Sequence, residues 1–288
     1  MNGMIKSKLA FISVGLITFF LLFQMGIHTA QQLGGAEGQW AFLKLCLMTL
    51  SENSRIPSII VAVINSFIVL TVGRMLLRVG SQIYLTCKWN RYFQSRIDQE
   101  TTRELMHRYR EWKIPIRVIR DDSWFALAVG LLKPRIIVSS GLLAMLSDGE
   151  REAVLLHERH HCMRRDPLKI FIVTLCRDAF WYIPLIRGLV HYYKVMKELL
   201  ADRFVMKQMR TEYELGAVLL KIAKRPPAPR RMVGVSFADT SINYRIEQII
   251  EPGRPATAPQ VRFPAVIISF ALLMLSPYVL IGLGGCVY

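Results

Sequence analysis

Ser147-Asp148-Gly149-Glu150-Arg151-Glu152-Ala153-Val154-Leu155-Leu156-His157-Glu158-Arg159-His160-His161 decides how the rest of the chain is read. Ser147 and Glu150 stand in the S-x-x-E order of a capping box, so a helix is expected to start there, and Asp166-Pro167 marks its expected end. On that helix His157 and His161 are four residues apart and project from one face. They can offer two imidazole nitrogens to one metal ion, with Glu158, one step round, facing an open coordination position. His160 sits three residues from His157 and has no Glu in the matching place, so it is assigned to the surface or to a supporting position behind the ligands.

Two histidines do not hold a catalytic metal, and the third ligand must come from elsewhere. Glu198-Leu199-Leu200-Ala201-Asp202 supplies a carboxylate with a second carboxylate four residues on, along the same helical face. Glu198 is the expected ligand. Asp202 is expected to accept the other ring N–H of a ligating histidine, which fixes the tautomer and raises ligand basicity. H-E-x-x-H followed by Glu198 is the spacing of a gluzincin metallopeptidase, with Zn²⁺ as the expected cofactor and Glu158 as the base that activates water. A chance H-E-x-x-H or a lone E-x-x-x-D is common on solvated helices; the two together are much rarer. A further donor is needed for the oxyanion, and Arg245, His191 and Tyr244 are candidates that the sequence does not separate from structural roles.

Mean hydropathy is +0.32, with 52% apolar and 20% charged residues. That is too hydrophobic for an ordinary soluble enzyme and too charged for a wholly buried bundle, so a membrane protein with an aqueous part is expected. Leu9 to Ile27 runs 19 residues without a charge, enough to cross a hydrocarbon core of about 30 Å. Pro57 to Leu77 reads as a second span and Phe263 to Tyr288 as a third, while Trp40 to Leu50 is expected to be interfacial. The expected organisation is a membrane-spanning hairpin at residues 1–79 (spans 9–27 and 57–77), a peptidase domain at 80–262 and a last span at 263–288. Of 37 Lys and Arg residues, 33 lie from Arg74 to Arg262. The positive-inside rule therefore puts that stretch, and the N-terminus, in the cytoplasm of a multi-pass inner-membrane protein. The net charge of +16 is assigned to topology and anionic lipid, and no direct nucleic acid contact is expected, since no such motif accompanies it.

Residues 167–190 are nearly apolar enough to span, yet His157, His161 and Glu198 must reach one metal, so the chain between them returns to its starting side. The segment is expected to be a buried helix of the peptidase domain docked against the membrane or the spans. Met75 to about Trp112 reads as a helical stalk. Ile114 to Ile119, Ala126 to Gly130 and Arg135 to Ser139 read as a small sheet, with Trp124 to Val129 as the edge that receives an extended peptide. The five cysteines show no C-x-x-C, and Cys162 points about 100° away from His161 on a helix. Residues 225–231 and 252–259, rich in Pro and Arg, read as loops.

Several stretches together resemble the BlaR/MecR-type antirepressor membrane metallopeptidases, relatives of the CAAX-protease and heat-shock membrane gluzincins. They are Phe125 to Val138, the pentad with Arg164-Arg165-Asp166-Pro167-Leu168, Trp181-Tyr182-Ile183-Pro184, Glu198 to Asp202 and Asn243-Tyr244-Arg245-Ile246. The resemblance implies an α+β zincin-like (gluzincin) catalytic domain with helical transmembrane anchor segments. It also implies a zinc endopeptidase that cuts a cytoplasmic protein or peptide, such as a transcriptional repressor, in a signalling response. The antibiotic-sensing members carry more spans and an extracellular penicillin-binding domain, and no such sensor is expected here. The partners expected are the substrate and the lipid membrane, with a homo-oligomer left open. The alternatives are a quality-control protease and a signalling scaffold with a structural metal.

Overall fold

The computed structural model describes residues 2–34, 56–224, 238–251 and 259–278. The expected interfacial stretch Trp40–Leu50, the Pro/Arg loop at 225–231, most of that at 252–259 and the end of the last apolar run lie outside them. The helices are α1 (Asn2–Gly34), α2 (Ile56–Gln94), α3 (Gln99–Arg108), α4 (Ser140–Met145), α5 (Asp148–Arg164), α6 (Asp166–Ala179), α7 (Pro184–Met209), α8 (Tyr213–Ala223), α9 (Ala238–Ile250) and α10 (Phe263–Pro277). The strands are β1 (Ile116–Ile119), β2 (Ala126–Val129) and β3 (Arg135–Ser139). The chain divides into two compact units. One contains residues 1–8, 80–172 and 192–259, the other residues 9–79, 173–191 and 260–288.

In the first unit the sheet order is β1-β3-β2. β1 runs parallel to β3 with Ile116 opposite Ile136, and β2 runs antiparallel to β3 with Ala128 opposite Ile136. Side chains alternate across the strands, and both faces are covered. Ile116, Val118, Ile136 and Val138 pack with Leu142, Leu143 and Leu155, while Ile119 and Ile137 pack with Phe93 and Phe125. Cys162 belongs to the first of these cores. The outer side of β1 is occupied by the chain before α3: Asp98 N donates to Val118 O at 2.9 Å and Arg120 N to Arg96 O at 2.8 Å. That excursion ends the expected helical stalk at Gln94, and α3 begins afresh after Asp98. β2 forms the opposite edge. Ser139 N donates to Phe125 O at 3.0 Å, so Phe125, Leu127 and Val129 turn their backbone groups to β3 and those of Ala126 and Ala128 face away.

The capping box at the start of α5 forms as expected. Ser147 N donates to Glu150 Oε2 at 2.8 Å and Glu150 N to Ser147 Oγ at 3.3 Å, and Lys221 of α8 reaches Glu150 at 2.6 Å. Arg165, at φ 51°, ends α5 in a left-handed turn, and Asp166 opens α6. Near the start of the chain, a Cβ built on Gly3 would meet Met196 Cε of α7 at 3.0 Å, and Arg164 Nη2 lies 3.4 Å from Met4 Sδ.

The second unit holds the apolar helices. Residues Gly3–Ala30 and Ala62–Gln94 are long and apolar enough to cross a membrane, and α10 is a shorter apolar helix. Within this unit the segment read as one buried helix is a turn between two, because Pro184 cannot donate an N–H and restricts Ile183, so α6 stops and α7 starts afresh. The turn docks on the apolar helices. Arg74 Nε donates to Asp178 O at 3.1 Å, Arg78 pairs with Asp178 at 3.3 Å, and Leu185 N donates to Ser269 Oγ at 2.9 Å. His28 Nε2 lies 3.1 Å from Asn65 Oδ1, and Ser276 Oγ donates to Gln24 Oε1 at 2.8 Å.

Candidate metal centre

The pitch of α5 stacks His157 and His161 with ring centroids 4.8 Å apart and their Nε2 atoms 3.1 Å apart. α7 brings Glu198 to the same point. Its Oε2 lies 3.3 Å from His157 Nε2 and its Oε1 3.6 Å from His161 Nε2. Ligand atoms about 2.0–2.1 Å from one tetrahedral Zn²⁺ are separated by roughly 3.3–3.5 Å, and the sides of this triangle, 3.1, 3.3 and 3.6 Å, bracket that range.

The ring nitrogens point to the same use of the triangle. His157 Nδ1 lies 2.9 Å from Asp202 Oδ1, and His161 Nδ1 lies 2.9 Å from Asp166 Oδ2. Carboxylates at both Nδ1 atoms draw the ring protons there and leave two Nε2 lone pairs aimed at one another. A cation between them relieves that opposition. Burial disfavours a charged ring at His157, yet the hydrogen bonds to Asp202 and Glu198 prevail and raise its pKa to about 10, so where no metal takes the Nε2 lone pair a proton does. Burial would raise Glu198, but His161, His157 and Arg245 hold its carboxyl far below the usual range.

The carboxylates have cations behind them. Arg245 of α9 grips Asp202 with two bonds, Nε at 2.7 Å and Nη2 at 2.8 Å, and its Nη1 lies 3.6 Å from Glu198. Lys197 Nζ lies 2.7 Å from Asp166 Oδ1. With Glu158 ionised and both histidines neutral, as ligands must be, four carboxylates and two cations leave a surplus of two negative charges, the charge of one divalent ion. A buried surplus of that size is costly unless compensated.

Glu158 stands beside the triangle, its carboxyl raised by burial and by Glu198 and opposed by the two histidines, and it accepts a hydrogen bond from Ala128 N–H of β2. The outward-facing backbone of β2 thus adjoins the Glu158 carboxylate.

The structure brings together His157, Glu158, His161, Glu198, Asp202 and Arg245. Arg245 is engaged by two carboxylates rather than presented as an open donor. Tyr244 packs on Val195, Met196 and Leu199, and His191 belongs to the other compact unit. His160 is buried rather than on the surface, its ring centroid 5.3 Å from that of Phe204. Burial, and then His161, lower its pKa to about 4 and keep it neutral. Sequence reasoning missed Asp166, taken as a helix end, and Lys197. The signal available was a carboxylate five residues after His161 and a cation directly before Glu198.

The model of the BlaR1 peptidase M56 family matches residues 53–249, more than half of the chain and the whole of the cluster above. This chain belongs to that family. Among curated proteins it is similar to the Regulatory protein BlaR1 of Bacillus licheniformis, 28% identical over 126 residues. That alignment takes in 43% of this chain and 21% of the relative, so the chain matches about a fifth of that protein's length. The family so matched is one of peptidases. Its long apolar helices agree with attachment to a membrane.

Proposed function

We propose that the chain is a membrane-anchored zinc endopeptidase of the gluzincin type, acting on a protein substrate. The observation that carries this reading is the convergence of His157 Nε2, His161 Nε2 and Glu198 on one point, with the Glu158 carboxylate beside them. Zinc held by these three residues would supply Lewis acidity at the scissile carbonyl and acidify the attacking water. Glu158, desolvated and held by Ala128 N–H, accepts the proton of that water and returns it to the leaving amine. An extended peptide lies along β2, where the outward backbone groups of Ala126 and the carbonyl of Ala128 offer main-chain hydrogen bonds. Backbone pairing holds many sequences in one register, so specificity falls to the side chains on either side of the cut.

Arg245 supports Asp202 in this reading and does not serve as the oxyanion donor. The positive charge concentrated between Arg74 and Arg262 favours a cytoplasmic peptidase unit in a multi-pass inner-membrane protein. Similarity to a regulatory protein favours a single signalling cut, and the resemblance of the motifs to the antirepressor peptidases favours a transcriptional repressor as its substrate. Metal analysis of the detergent-purified protein, paired with cleavage of an unfolded protein by wild type and Glu158→Gln, tests the enzyme. Stoichiometric zinc in both with cleavage by wild type alone is expected. A signalling output that survives Glu158→Gln would instead make the domain a scaffold.

A further inference from the structure

The two histidines of the triangle are backed in the same way by different elements. His157 leads to Asp202 and then to Arg245, which comes from α9. His161 leads to Asp166 and then to Lys197, which is the neighbour of Glu198 on α7. Adjacent residues on a helix point about 100° apart. α7 can therefore give Glu198 to the metal point while Lys197 reaches round to the back of the His161 ring.

The second of these chains is deeply enclosed. Asp166 is 1% exposed and Lys197 7%, and the ammonium also lies 5.3 Å from the centroid of the Tyr193 ring. A long, flexible lysine is rarely buried unless a specific partner holds it. What Lys197 adds to the Asp166 carboxylate, besides charge, is direction. With Oδ1 fixed by the ammonium at 2.7 Å, Oδ2 is left for His161 Nδ1 at 2.9 Å.

We propose that Lys197 is a positioning residue for the metal. Through Asp166 it fixes the tautomer and the aim of His161, as Arg245 does for His157 through Asp202. This rests on the reading of His157, His161 and Glu198 as the metal ligands. It adds a buried lysine that touches neither metal nor substrate and makes the affinity of the site depend on the packing of α6 against α7.

The test uses the full chain in detergent, with Co²⁺ as the probe and a competing chelator to set its free concentration. Lys197→Met is expected to lower Co²⁺ affinity by about 10- to 100-fold, with an altered Co²⁺ absorption spectrum, while Lys197→Arg keeps most of both. Adding Lys197→Met to Asp166→Asn is expected to change nothing further, because the lysine acts through that carboxylate. The double variant carries no orphaned buried charge, so it serves even where Lys197→Met alone fails to fold. Wild-type affinity and spectrum in Lys197→Met, or an undiminished extra loss on top of Asp166→Asn, would overturn the proposal while leaving the metal site standing. No Co²⁺ uptake by the wild type would overturn the metal site and the proposal with it.

Discussion

Arg245 is the side chain whose removal isolates the most charge. Asp202 is fully buried and Glu198 partly so, and the guanidinium contacts both. Arg245→Met is expected to destabilise the peptidase unit by about 3–5 kcal/mol, the usual cost of orphaning one side of a buried pair. Thermal melts in detergent would measure it. Arg245→Lys should recover only part, since an ammonium cannot reproduce the two-bond grip. His160→Phe, by contrast, places an apolar ring where a neutral ring already packs on Phe204, and its metal content should equal that of the wild type. Zinc lost in that variant would mean the ligand register had been misread. At this scale the sequence reveals what is local. His157, Glu158 and His161 are set by helix pitch, and Asp202 by its spacing from Glu198. Asp166 and Lys197 are 31 residues apart in number, and no periodicity announces that they meet.

Helix α5 holds the two candidate histidine ligands in register, and its first turn is fastened twice, by the capping box and by Lys221. Ser147→Ala is expected to cost about 1 kcal/mol. Burial would raise the carboxyl of Glu150, but Lys221 and the bonds from Ser147 prevail and hold it below its ordinary value. A lowered folded pKa means that this contribution is complete above the ordinary carboxylate range and is lost as pH falls through the depressed value. Glu150→Gln should therefore flatten the acid side of the stability profile; an unchanged profile would deny the ion pair its role. Strand β2 offers a sharper test. Ala128 N–H faces away from β3, so Ala128→Pro breaks no ladder bond and should fold and retain metal, while losing the contact to Glu158 and most cleavage. The strands and the start of α5 were legible because alternation and capping are written in adjacent residues. The breaks at Gln94 and Phe180 were not, since the first depends on Arg96 to Asp98 pairing with β1, and the second shows in sequence only as Pro184 at the end of an apolar run.

For the molecule as a whole, α1, α2, α6 and α7 each contribute residues to both compact units. The helices that hold the candidate ligands or their supports are therefore continuous, or adjacent in sequence, with the long apolar helices. The exposed side chains of α1 include Leu9, Ile12, Leu16, Phe19 and Phe23. Membranes washed at alkaline pH are expected to retain the chain, and its release into the supernatant would argue against the spans. That hydrophobic stretches 9–27 and 57–77 would form helices was plain from composition, whereas the seating of the first residues of α1 among peptidase residues was not, because it turns on a glycine. A Cβ built on Gly3 would lie 3.0 Å from Met196 Cε, the mobile end of a side chain two positions before Glu198, so bulk at Gly3 meets that methyl before it meets α7. A label attached to a cysteine placed at Gly3 would accordingly report on the surroundings of Met196 on α7.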